Sequence, residues 1–150
     1  MRNISCIIQA RINSSRLPAK IMLHANGKPL LENLHQRLSQ SKKINQIIVA
    51  TSNNKLDDLI YNFCKKKKYK CFRGSENDVL SRYYNCAKKF KSQIIVRITA
   101  DCPLIDKNII DDMISEFLKR DLDYLSNIHP PAEPDGFDIE IYDFKTLKKT

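Results

Sequence analysis

Three cations, Arg11, Arg16 and Lys20, fall within ten residues directly after the apolar run Cys6-Ile7-Ile8, with Ser14 and Ser15 between them. The first acidic residue of the chain is Glu32, so nothing nearby in the sequence neutralises them. A loop that leaves a buried strand with several cations, hydroxyl donors and free backbone N–H groups can surround a polyanion such as a triphosphate. The same spacing also describes a solvated surface loop whose arginines touch only water. Pro18 inside the loop and Pro29 at the next helix start restrict the backbone, and that stiffness favours binding.

The remaining candidates are carboxylates. Asp101 stands in Ala100-Asp101-Cys102-Pro103, where an aspartate two residues before a proline serves equally as a turn former or as a ligand. Asp138 and Glu140 share one face of an alternating segment; they read as metal or sugar contacts, or as the wet face of an edge strand. His24, His35 and His129 are isolated, and no Ser-His-Asp or Cys-His pattern suggests a nucleophile. The five cysteines are spread out with no CxxC pair, which argues against a disulfide framework or zinc knuckle and predicts small buried or half-buried thiols.

These groups need a scaffold, and apolar periodicity supplies one. Apolar runs predict strands over 4–9, 44–51, 70–73 and 93–99. Between them, helical spacing predicts helices from Pro29 to about Gln40, over 56–67 with Leu59, Ile60 and Phe63 inward, and over 78–90 with Val79, Leu80, Tyr83 and Ala87 inward. A fourth helix is expected over 107–120 behind Asp106 as N-cap, then a short strand over 123–127, a loop over 129–136 and an alternating strand over 137–142. Asp143 reads as a further N-cap. Strands without a polar face, separated by helices, predict an α/β fold with a mostly parallel sheet covered on both sides. Ligands of such sheets sit outside the carboxyl ends of the strands, where strand order reverses. The loop after the first strand and the segment after the fourth open on that edge, so the cations and Asp101 are expected to face one pocket.

At 150 residues the chain is expected to form one domain, and a short final helix suggests a longer protein cut at this point. The net charge of +9 invites a nucleic-acid partner. Against it, Ile, Lys and Asn supply 49 of the 150 residues, a skew that A/T-rich coding alone explains, and the run Lys65 to Lys68 reads as an exposed helix end. No membrane span and no secretory signal are legible, so the expected compartment is the cytoplasm.

IIQARINSSRLPAK (7–20), FRGSENDVLSRY (72–83), VRITADCPLID (96–106) and PDGFDIEIYDF (134–144) resemble, in order, the cytidylyltransferases related to the spore coat polysaccharide biosynthesis protein F. These are similar in turn to the 3-deoxy-manno-octulosonate and acylneuraminate cytidylyltransferases. The resemblance implies a three-layer α/β/α, Rossmann-like nucleotide-diphospho-sugar transferase fold using CTP and Mg²⁺ to activate a sugar or sugar acid for polysaccharide biosynthesis. It implies that Arg11, Arg16 and Lys20 hold the triphosphate with Ser15, that Ala10 supplies a backbone contact beside the nucleotide, and that Asp101 binds the metal. Ser75, Asp78 and Arg82 fall in the motif near base and sugar. Where relatives usually carry glycine, this chain has Asn13, Ala19 and Ala100; a left-handed position would be tolerable at Asn13 and strained at Ala19. Family members continue beyond this length with a sugar-binding and dimerisation portion, which leaves a homodimer open. Two rivals stand beside this expectation: a glycosyltransferase of the same fold, disfavoured because DCP lacks the second carboxylate of a DxD motif, and a non-catalytic nucleotide-binding fragment.

Overall fold

The computed structural model of the chain describes residues 1–131 and 133–150. Its centre is a six-stranded sheet. Strand β1 (Ile4–Gln9) is followed by a small hairpin, β2 (His24–Ala25) and β3 (Lys28–Pro29), then by helix α1 (Leu30–Leu38). Next come β4 (Gln46–Ser52), α2 (Asp58–Lys67), β5 (Lys70–Gly74), α3 (Val79–Lys89) and β6 (Ile94–Thr99). Helix α4 (Lys107–Lys119), β7 (Tyr124–Ser126), β8 (Glu140–Asp143) and α5 (Phe144–Lys149) complete the order. The sheet runs β5-β4-β1-β6-β8-β7. Its first four strands are parallel, β8 is antiparallel to β6, and β7 is antiparallel to β8.

The apolar runs become the interior strands because both of their faces are covered. Cys6, Ile8, Val49, Val96 and Ile98 pack with Leu31, Leu34, Ile60, Ile110, Ile114 and Phe117 beneath α1, α2 and α4. On the other face Ile7, Ile48 and Ile95 pack with Tyr83, Cys86, Ala87 and Leu147 beneath α3 and α5. Each fully buried aliphatic side chain contributes about 1.5–3 kcal/mol, so the two clusters together set the three-layer arrangement. Helix ends follow the expected chemistry. Asp106 accepts from the Asn108 N–H at 2.6 Å and Asp143 from the Lys145 N–H at 2.8 Å, and α2 ends at Lys68 in the left-handed conformation after three exposed lysines. All five cysteines are free thiols, four buried and Cys71 half-buried.

Several expectations need correction. Leu59 and Leu80 are 51% and 43% exposed rather than inward, because Ile60 and Cys64 on α2, and Tyr83, Cys86 and Ala87 on α3, already fill the narrow stripes that meet the sheet. The strand expected over 137–142 begins only at Glu140, although Ile139 and Ile141 are both buried as their alternation requires. It is also no edge strand, since β7 lies outside it. The loop expected over 129–136 has neither helix nor strand at its described positions, and Ala132 lies outside the described residues.

Strand order decides where a ligand has room. The chain passes from β1 to β4 and β5 on one side, then crosses to β6 on the other side of β1. β1 and β6 are neighbours at that reversal, so the loops leaving their carboxyl ends open together on one edge of the sheet, in a crevice where a ligand has room.

Candidate active site

The register places the two loops side by side. Gln9 pairs with Thr99, and the ladder continues one residue further through Ala100 N–H to the Gln9 carbonyl at 2.9 Å. Arg11 and Asp101, each two residues beyond those partners, leave the sheet edge together. Between them lies a cavity of about 420 Å³ lined by Arg11, Ser14, Ser15, Arg16, Lys20 and Asp101, with Gln9 and Thr99 at its floor. Among the described residues none of the three cations forms an ion pair, whereas Arg2, Lys67, Arg73, Arg97 and Arg120 all do.

The loop that carries the cations is held in shape by its own backbone. Ala19 N–H donates to the Ile12 carbonyl at 2.9 Å, and Met22 N–H to the Ala19 carbonyl at 2.9 Å, so Lys20 opens a single 3-10 turn over Lys20–Met22. That closure requires Ala19 at φ 57°, the left-handed position anticipated there. Asn13 has no positive φ, and Ala100 is a buried ladder residue.

Asp101 both makes a turn and faces the cavity. Cys102 N–H closes a turn onto the Thr99 carbonyl at 3.2 Å, while the exposed Asp101 side chain accepts a weak bond from the Cys102 thiol at 3.8 Å. Burial pushes the Cys102 thiol pKa up; the Thr99 hydroxyl opposes this, the charges of Asp101 and Asp138 add to it, and a hydrogen bond with the Asp138 backbone opposes it. A second carboxylate, Asp138, is thus within electrostatic reach of the same turn.

The other expected residues are used differently. Ala10 is buried, and its N–H is bonded to the Ala50 carbonyl at 3.0 Å, so only its carbonyl is free for a contact. Ser75 and Asp78 build the start of α3: the Ser75 hydroxyl accepts from Asp78 N–H at 3.1 Å, and Asp78 caps Ser81 N–H at 2.9 Å. Glu140 is engaged at both oxygens, by Arg97 at 2.8 Å and by the Tyr124 hydroxyl at 2.8 Å. Arg97 also donates to Gln9 at 3.2 Å, which ties β8 to the cavity floor. Burial works against its charge, but Tyr83 and Glu140 outweigh that and raise the Arg97 pKa.

Arg82 is the outlier. It is 1% exposed, and all three guanidinium nitrogens are buried without a hydrogen-bond partner among the described residues. Burial lowers its pKa and Arg11 adds repulsion, while Tyr83, Asp57 and Glu76 act in the opposite direction. Asp57, a buried carboxylate not anticipated from sequence, accepts from Ile12 N–H at 2.8 Å and from Ser52 N–H at 3.2 Å, and also bonds the Ser52 hydroxyl. Two adjacent aspartates before a helix read as first-turn acids; the partner that matters is 45 residues away and leaves no local signal.

The family model described as cytidylyltransferase matches residues 5–150. The spore coat polysaccharide biosynthesis protein SpsF of Bacillus subtilis is 35% identical over 135 residues, covering 87% of this chain and 56% of that protein. A 3-deoxy-manno-octulosonate cytidylyltransferase of Geobacter sulfurreducens is 28% identical over 113 residues, covering 75% of this chain and 44% of the other. Among solved structures, a cytidylyltransferase from Leptospira borgpetersenii serovar Hardjo-bovis superposes with a TM-score of 0.94 at 38% identity, over 99% of this chain and 63% of that one. The chain therefore spans about half the length of the curated relatives it matches. With the sheet order, the crevice and these likenesses in agreement, the chain belongs to the cytidylyltransferase family.

Proposed function

We propose that this chain carries the nucleotide-binding part of an enzyme that transfers the cytidylyl group of CTP to a sugar or sugar acid, releasing pyrophosphate. The observation that carries the reading is the convergence of Arg11, Arg16, Lys20 and Asp101 on one 420 Å³ cavity at the strand-order reversal. Attack of a hydroxyl on the α-phosphorus crowds negative charge at the transition state, and fixed cations answer that need without any nucleophilic side chain. Arg11 and Arg16 present planar forks to phosphate oxygens, Lys20 a compact charge from the 3-10 turn, and Ser15 a hydroxyl donor. Arg82, buried and unpaired, adds positive potential beneath the loop.

The donor set suits magnesium. Asp101 is a hard oxygen ligand facing the cavity, Asp138 is close to the same turn, and Mg²⁺ is commonly held by one or two carboxylates with the rest of its shell supplied by phosphates and water. Bound there, it would neutralise charge on the phosphate oxygens. Glu140, already paired, serves in this reading to hold Arg97 against Gln9. Among the described residues no helix is long and apolar enough to cross a membrane. With CTP as its substrate, the proposed reaction is placed where that nucleotide is found, in the cytoplasm.

The test is melting temperature with each of the four nucleoside triphosphates and magnesium. CTP at about 100 times its dissociation constant adds about 2.7 kcal/mol, a rise of roughly 5–10 °C for a domain of this size. Lys20→Ala should weaken CTP binding about 10- to 100-fold, the loss of one charged hydrogen bond. A chain that none of the four triphosphates stabilises would refute the proposal.

A further inference from the structure

The loop that presents the cations is fastened at Ile12, the residue directly after Arg11. Its N–H donates to Asp57 Oδ1 at 2.8 Å, and its carbonyl accepts from Ala19, the residue directly before Lys20, at 2.9 Å. Asp57 thus holds the backbone beside Arg11 directly, and the backbone beside Lys20 is held by the residue that Asp57 anchors. Asp57 is 2% exposed, and its other oxygen is held by Ser52 at the end of β4. Although Asp57 immediately precedes α2, its side chain makes no bond to the N–H groups of that helix. An aspartate at a helix start ordinarily caps it; here both oxygens turn back toward the strand end and the loop. Asp57 also lies within electrostatic reach of Arg82, which Arg11 repels. A buried negative charge beneath mutually repelling cations holds them together before any phosphate arrives.

We infer that Asp57 is a positioning residue for the phosphate-binding loop: it touches no substrate and sets, through Ile12, the backbone from which Arg11 and Lys20 reach the cavity. The inference rests on the nucleotide-binding reading above. It also explains why a carboxylate is buried in a fold whose helix needs no cap from it.

The test compares wild type, Asp57→Ala and Asp57→Asn by CTP dissociation constant, melting temperature and hydrogen exchange at the Ile12 amide. The alanine variant should lose protection at Ile12 and bind CTP about 10- to 100-fold more weakly, the effect of removing a charge-assisted anchor. The asparagine variant can keep the Ile12 bond through its oxygen while its amide opposes the Ser52 N–H, so a smaller loss of roughly 3- to 10-fold is expected. Glu32→Gln removes a different buried carboxylate, which pairs α1 with Lys67 of α2 at 3.1 Å and does not line the cavity; it should lower the melting temperature and leave CTP affinity unchanged. Folded Asp57 variants that bind CTP within twofold of wild type would overturn the inference, whatever their melting temperature. If the alanine variant does not fold, the asparagine variant decides by the same measure. If wild type binds no triphosphate, the functional reading fails, and unchanged Ile12 exchange in the variants would separately refute the anchoring role.

Discussion

Gly74 closes β5 directly against α3, and replacing it with alanine tests the packing that holds Arg82. Its backbone is not in the left-handed region, so an added Cβ meets no conformational objection. The objection is space: that Cβ would lie 3.0 Å from Arg82 Cγ, 3.0 Å from Phe72 Cε1 and 3.2 Å from Arg82 Cβ. Carbon pairs rest at about 3.5–4.0 Å, so three contacts fall short by roughly half an ångström. One of these atoms is a Cβ that moves only if α3 moves. Overpacking of this kind costs about 1–3 kcal/mol, while loss of glycine freedom in the unfolded chain returns about 0.4–1 kcal/mol. The net expectation is a loss of up to about 2.6 kcal/mol, or up to about 10 °C in melting temperature, measured by calorimetry. Displacing Arg82 should also weaken CTP binding in the same sample. An alanine variant that melts at or above the wild-type temperature would refute the reasoning, because the entropic gain alone would then have decided the sign.

Two further expectations follow from the same geometry. Ala19 adopts φ 57°, which costs an L-residue about 1–2 kcal/mol; Ala19→Gly should relieve more than glycine loses in entropy and raise the melting temperature by roughly 1–4 °C, and a fall would show that the loop is not strained there. His35, stacked on Tyr69 at 3.6 Å, has its pKa lowered by burial, with Glu32 opposing. The unfolded chain therefore takes up that proton first as pH falls below about 6.5, and stability declines from there toward the lowered folded value, by at most about 1.4 kcal/mol per pH unit. Urea unfolding between pH 7.5 and 5.5 should show this slope in wild type and a flatter one in His35→Phe; equal slopes would exclude His35 as the source.

The interior strands β1, β4 and β6 were legible because each is a short, largely apolar run covered on both faces, so composition alone marks 4–9 and 93–99 as interior. The caps at Asp106 and Asp143 were legible for a similar reason, since an N-cap bond spans two residues and needs no tertiary context. Failure began where a choice depended on what lies opposite. Leu59 and Leu80 have the right period for burial, but the sheet edge under α2 and the start of α3 offer them nothing to meet. The hairpin at Asn26-Gly27, with φ 53° and 74°, passed unread despite a dipeptide that favours such turns, because its two-residue strands carry no alternation.

The site divides along the same line. Arg11, Arg16, Lys20 and Asp101 could be nominated from sequence because they are exposed or half-buried groups on loops that leave neighbouring parallel strands, and register alone brings such loops together. Asp57 and Arg82 could not be given their places that way. A buried carboxylate bonded to a backbone amide 45 residues distant, and a buried guanidinium with no hydrogen-bond partner among the described residues, are expensive to retain unless the folded chain needs a charge there. Arg82→Met makes this concrete, since it keeps the aliphatic packing against Gly74 and removes only the unsatisfied head group. If that charge is kept for the nucleotide, the variant should fold at least as stably as wild type and bind CTP more weakly; a variant that loses stability and keeps its affinity would assign Arg82 to the fold instead.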